Sequence, residues 1–151
     1  MKKGYSKDLA LKKSEFTQAG ATGTKEGRLI GYELVGLYDK NGFEDEAKNL
    51  SERLYMQISK IDSDEYFLAA ENSFYFAKNN QGLKAAQIYL KAAEIFRKSG
   101  TKGDERAASS LYSATDCFIF AEQNADAKAT AQTLKQLYPK SKYAENVDAL
   151  F

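Results

Sequence analysis

Two acidic clusters are the groups in this chain best suited to chemistry, Glu44-Asp45-Glu46 and Asp62-Ser63-Asp64-Glu65. Neighbouring carboxylates can bind a cation or act as a general acid and base. Both clusters stand where a helix is predicted to begin, and negative charge there compensates the helix dipole. Neither has the glycine and terminal glutamate of a calcium loop. We therefore interpret both as helix starts and predict no metal site and no catalytic site.

The missing residue types exclude further chemistry. The chain has no histidine, so it cannot use Ser-His-Asp or Cys-His catalysis or bind a metal through imidazole. Cys117 is the one cysteine in the sequence, so no internal disulfide can form. It lies among apolar residues, which predicts a small buried thiol. We predict a non-enzymatic protein without a cofactor. The alternative is an enzyme in which Glu71, Lys78 or Asp116 share a pocket that perturbs their acidity.

Length and charge restrict the partners. The 151 residues suit a single domain over 1–151, and 22 basic against 21 acidic side chains leave no concentrated positive charge for nucleic acid. No apolar run is long enough for a membrane span. A basic N-terminal stretch is interpreted as a solvated terminus, with contact to a membrane surface or an acidic partner as the alternative. It comprises Lys2, Lys3, Lys7, Lys12 and Lys13.

Apolar residues recur at steps of three and four along most of the chain, which predicts about eight helices and no strand. Thr24, Asp62 and Ser141 suit N-cap positions, and Asp62 with Glu65 has the spacing of a capping box. Short loops predict antiparallel neighbours. Gly31 and Gly36 interrupt the second helix and are predicted to mark close packing, since each costs about 1 kcal/mol against alanine. The predicted helices cover roughly 6–19, 24–40, 44–58, 62–79, 82–99, 101–122, 126–138 and 141–151.

A similar turn sequence occurs three times. The three copies are Tyr38-Asp39-Lys40-Asn41-Gly42, Phe76-Ala77-Lys78-Asn79-Asn80 and Phe120-Ala121-Glu122-Gln123-Asn124. Their aromatic residues are separated by about 38 and 44 residues, a period typical of stacked helical hairpins. The pattern predicts an all-α, right-handed array. It has a flanking helix in 1–23, hairpins in 24–61, 62–100 and 101–139, and a capping helix in 140–151.

Particular residues give this array a resemblance to the tetratricopeptide repeat. They are Leu34, Tyr38, Gly42 and Ala47 in the first hairpin, Phe76, Ala85, Tyr89 and Ala92 in the second, and Phe118, Ala127, Ala131, Leu134 and Pro139 in the third. The tail 134–144 is similar to repeats of the bacterial Tol–Pal coordinator and outer-membrane assembly lipoproteins. That likeness implies the periplasm or cell envelope if a leader was removed, with the cytoplasm as the alternative. The chain departs from the motif at the turn glycine of the second and third hairpins.

The resemblance implies a concave groove lined by the first helix of each hairpin. Aromatic rings in such a groove suit an extended or helical peptide with apolar anchors, so we predict a protein–protein interaction scaffold. The predicted partner-binding residues are Tyr32, Asp39, Lys40, Phe67, Phe74, Lys78, Tyr112 and Asp116. Leu29, Gly36 and Phe120 occupy further groove positions. Burial of these rings in the core is the competing interpretation.

Two alternatives remain at this stage. A small apolar ligand would be enclosed by Phe67, Phe74, Tyr75 and Tyr112. Self-association would use the terminal helices. The first helix has no obvious partner, and Val147, Leu150 and Phe151 would expose apolar surface.

Overall fold

The computed structural model describes residues 6–72 and 82–151, which belong to two compact units. We call the described residues of each the N-terminal unit and the C-terminal unit. Both are entirely helical, and no strand occurs in the described residues, which confirms the all-α prediction. The N-terminal unit contains α1 Lys7–Gln18, α2 Lys25–Lys40, α3 Glu44–Tyr55 and α4 Ser63–Asn72. The C-terminal unit contains α5 Gly82–Arg97, α6 Asp104–Phe120, α7 Asn124–Leu137 and α8 Lys142–Asn146.

The predicted N-caps are confirmed. The Thr24 hydroxyl accepts a hydrogen bond from the Gly27 amide at 3.0 Å, and the Asp62 carboxylate accepts one from the Glu65 amide at 2.9 Å. Ser141 caps α8 by accepting from the Tyr143 amide at 3.1 Å. Each bond satisfies a backbone donor that the first helical turn leaves without a partner.

The core of the N-terminal unit joins α1, α2 and α3. Leu9 and Phe16 of α1 are buried in it, so the expectation that the first helix lacks a partner is wrong. A short apolar stripe is enough for α1 to pack, because α2 and α3 present a continuous apolar surface to it. The buried members are Leu9, Phe16, Leu34, Val35, Tyr38, Phe43, Ala47, Leu50 and Leu54.

The two interior glycines of α2 differ. A Cβ on Gly31 would lie 3.1 Å from Leu54 Cδ2, so this glycine allows α2 and α3 to approach closely, as predicted. A Cβ on Gly36 would have no heavy atom within 4 Å among the described residues. The prediction of close packing is wrong for Gly36, which faces open space.

The core of the C-terminal unit is richer in alanine. Val147, expected to be exposed, is fully buried in it, whereas Phe151 remains 53% exposed. The predicted last helix is shorter than expected, since α8 ends at Asn146 and a 3-10 turn, Val147–Leu150, follows. That turn places Val147 on the core. The buried members are Ala93, Ala108, Leu111, Ala131, Leu134, Ala144 and Val147.

The α2–α3 and α6–α7 turns have the same backbone geometry. The Phe43 amide donates to the Tyr38 carbonyl at 2.8 Å, and the Gln123 amide donates to the Phe118 carbonyl at 2.8 Å. Tyr38 therefore corresponds to Phe118, 80 residues later, and the pairing of Tyr38 with Phe120 in the turn sequences is wrong by two residues. The turn at 76–80 lies outside the described residues.

Candidate functional site

Tyr32 lies on the side of α2 that meets α4. It is half-buried, and its hydroxyl donates a hydrogen bond to Glu65 Oε2 at 2.8 Å. Burial and the Glu65 carboxylate raise the pKa of Tyr32, so the phenol stays protonated and remains a donor. The hydroxyl of this predicted partner-binding residue is therefore already hydrogen-bonded within the N-terminal unit.

The Glu65 carboxylate is also held by Arg28. Arg28 Nε donates to Glu65 Oε2 at 2.8 Å, and Arg28 Nη2 donates to Oε1 at 3.0 Å. Glu65 is 1% exposed and Arg28 is 8% exposed, so this is a buried bidentate ion pair. The pair and the Tyr32 hydroxyl fix the first turn of α4 against α2.

The sequence analysis missed this cluster. Glu65 was assigned to a capping box, and its amide does bond Asp62, but its side chain turns to Arg28 instead of returning to the cap. A signal was available, since Arg28 shares helical spacing with the buried residues Gly31, Val35 and Tyr38. An arginine on an apolar stripe predicts a buried acidic partner.

Asp39 and Lys40 lie at the C-terminal end of α2. Asp39 is half-buried, and Lys40 is exposed on an open groove of about 590 Å³ between α1 and α2. Gly36 and Leu37 lie on the floor of this groove, and Leu11 of α1, 60% exposed, lies beside them. This part of the predicted partner face is accessible and apolar at its centre.

Tyr112 and Asp116 lie on α6 of the C-terminal unit. Tyr112 corresponds to Tyr32 in the 80-residue register and is also half-buried, but its ring packs against Tyr143, with centroids 5.6 Å apart. Asp116 is exposed at the level of the whole residue, and partial desolvation of its carboxyl raises the pKa. The two tyrosines thus have different partners in equivalent positions.

The remaining predicted residues come from the second hairpin. Phe67 belongs to α4, but its side chain is outside the described part of the structure, and Phe74 and Lys78 lie outside the described residues altogether. Tyr75, which the small-ligand alternative also needs, lies there too. These assignments stay predictions.

Within 6–72 and 82–151 no group of three histidine, cysteine or acidic side chains is placed to hold a metal ion. Cys117 is 2% exposed, and burial raises its pKa to about 12, so the thiolate is disfavoured at neutral pH, as expected for a structural thiol. None of the described helices combines the length and apolar character needed to cross a membrane.

No protein-family model matches the chain, and neither curated proteins nor solved structures give a significant match. The resemblance to tetratricopeptide repeats therefore rests on this chain's own residues. Among them, the equivalent turns and the equivalent tyrosines are the features that the structure describes in both units.

Proposed function

We propose that this chain is a tetratricopeptide-like array of antiparallel helical hairpins that acts as a non-enzymatic scaffold. It would bind an extended or helical peptide of a partner protein on the first helices of its hairpins. The observation that supports the proposal is that α2 and α3 share their turn hydrogen bond and most of their buried positions with α6 and α7, 80 residues later.

The antiparallel arrangement is supported by the turns. Three residues separate α2 from α3, and the two helices pack along each other. Helices joined by so short a connection must run in opposite directions to pack in this way. The α6–α7 pair has the same spacing and also packs together.

The first helix of each described hairpin exposes an apolar side chain. Leu29 of α2 is 37% exposed, and Phe120 of α6 is 61% exposed. Both are groove positions implied by the resemblance. Apolar anchors on a helix face are what a bound peptide would cover, so Leu29 marks a proposed binding surface on the N-terminal unit and Phe120 marks one on the C-terminal unit.

The experiment compares partners captured from the cell of origin by the wild type and by a Leu29→Ser/Phe120→Ser variant. Proteins of the bacterial envelope are the first class to examine, because of the tail's resemblance. We expect recovery of the specific partner to fall at least about tenfold, since loss of two buried apolar contacts costs roughly 1.5–3 kcal/mol each.

Met56→Ser is the matched control. Met56 is 76% exposed at the end of α3 and belongs to neither first helix, so its variant should recover partners like the wild type. Equal recovery by all three proteins would remove the proposed surface. Circular dichroism of each variant checks that the helices are retained.

A further inference from the structure

The C-terminal unit has a groove where three helix ends meet. It encloses about 550 Å³ between the first turn of α6, the turn after α7 and the start of α8. Tyr138, Pro139 and Tyr143 line it, together with two acids of α6, Asp104 and Glu105, and two lysines around the start of α8, Lys140 and Lys142. None of these is a residue of the partner face proposed above.

The groove has a fixed apolar floor. The Ser141 amide donates to the Tyr138 carbonyl at 3.0 Å, which closes the turn that carries Pro139. The Tyr143 ring is held between Tyr112, at 5.6 Å, and the Lys142 ammonium, at 5.2 Å from its centroid. A preformed surface of this kind loses little conformational entropy when a ligand binds.

The charged residues that line the groove differ in sign between two elements, since α6 contributes the two acids and the chain around the start of α8 contributes the two lysines. In the described residues, no ion pair joins Asp104 or Glu105 to a cation, and none joins Lys140 to an acid. Burial and the Asp104 charge raise the pKa of Tyr138, and the nearby Arg97 charge opposes this shift. A ligand that carries both charges would complement the two elements together.

We propose that this groove binds an extended peptide segment of a partner protein, with an apolar side chain between a basic and an acidic residue. The apolar side chain lies on Tyr138, Pro139 and Tyr143. The basic residue pairs with Asp104 and Glu105, and the acidic residue pairs with Lys140. Aromatic residues and proline on a rigid surface suit an extended backbone, whose main chain remains solvated along the open groove. This site goes beyond the first-helix surface.

A random heptapeptide library displayed on phage and selected on the full chain supplies the probe. We expect enriched peptides to combine an apolar residue with flanking basic and acidic residues. In fluorescence anisotropy with a synthetic selected peptide, Glu105→Lys should weaken binding at least tenfold. A peptide whose basic residue is replaced by glutamate should bind the Glu105→Lys variant better than it binds the wild type.

Asp126→Lys is the matched control, since Asp126 is also an exposed acid in the first turn of a helix but does not line the groove. It should leave the affinity unchanged, and Tyr138→Ala should reduce it. Leu29→Ser/Phe120→Ser should also leave it unchanged, which separates this site from the scaffold surface. Absence of enriched peptides, or equal binding by wild type and Glu105→Lys, would overturn the proposal.

Discussion

The two units differ in the residues buried between α2 and α4 and between the equivalent helices α6 and α8. In the N-terminal unit Arg28 of α2 pairs with Glu65, the third residue after the cap Asp62. In the C-terminal unit the 80-residue register places Ala108 at the position of Arg28, whereas Ala144 matches Glu65 only when both are counted from their caps, Ser141 and Asp62. Both alanines are buried in one apolar cluster. Equivalent positions thus accept either a desolvated ion pair or two small apolar side chains.

This difference shows what the buried pair contributes. Two alanines need no partner, whereas each member of the ion pair requires the other, because a buried charge without its partner is strongly destabilising. Tyr32 donates a further hydrogen bond to the same Glu65 carboxylate, so this contact requires three particular side chains. The N-terminal unit is therefore more specific at this contact, and more vulnerable to a single substitution, than the C-terminal unit.

The largest expected effect comes from breaking the pair on one side. Glu65→Ala leaves the Arg28 guanidinium buried without its carboxylate, so it should lower the free energy of unfolding of the N-terminal unit by about 3–5 kcal/mol. Urea unfolding, with hydrogen exchange of the α2 amides to identify the unit, measures this change. The Arg28→Met/Glu65→Leu variant should lie within about 1.5 kcal/mol of the wild type, because apolar residues of similar volume can replace a buried pair. A double variant as unstable as Glu65→Ala would show that packing, and not charge, is decisive.

A smaller effect is expected at the turns. Gly42 has a φ of 82° and Glu122, its equivalent, has a φ of 59°, so at this turn the left-handed position holds a glycine in the N-terminal unit and a residue with a Cβ in the C-terminal unit. Gly42→Ala should destabilise by roughly 1 kcal/mol, and Glu122→Gly should stabilise by up to about 1 kcal/mol, because the left-handed conformation disfavours a Cβ. Thermal unfolding of both variants tests the opposite signs. Two changes of the same sign would refute the equivalence of the turns.

The smallest expected effect compares two glycines of one helix. Gly36→Ala should stabilise α2 by about 0.5–1 kcal/mol, since its Cβ meets open space and alanine is the better helix former. Gly31→Ala should stabilise the protein less than Gly36→Ala does, or destabilise it, because the added Cβ would lie only 3.1 Å from Leu54. Urea unfolding of the two variants gives the comparison. If Gly31→Ala were stabilised and Gly36→Ala unchanged, the conclusion that close packing requires a glycine at 31 and not at 36 would be wrong.

Sequence reasoning found the helices because their signals are local. Caps at Thr24, Asp62 and Ser141 act within three residues, and apolar spacing reports each helix directly. The Arg28–Glu65 pair joins residues 37 apart, so no local pattern defines it. The repeated turn sequences paired Tyr38 with Phe120 because the two residues are alike in type, whereas the tetratricopeptide resemblance gave that position to Phe118. Hydrogen bonding agrees with the resemblance and leaves Phe120 61% exposed.

The candidate site was harder to predict than the fold. Tyr32 and Tyr112 were placed on equivalent helix faces from the resemblance, and their equivalence is seen in the register. Their neighbours could not be inferred, because Glu65 and Tyr143 come from later helices whose packing depends on the whole unit. Side-chain contacts between distant elements are the part of a site that periodicity does not report.

The buried pair also gives the two units different responses to heat. The hydration of charged groups carries a strongly negative entropy, so the cost of removing Arg28 and Glu65 from water falls as the temperature rises. The apolar cluster that contains Ala108 and Ala144 gains no such advantage, because apolar burial levels off on warming. Heating should therefore favour the contact between α2 and α4, which contains the ion pair, over the apolar contact in the C-terminal unit.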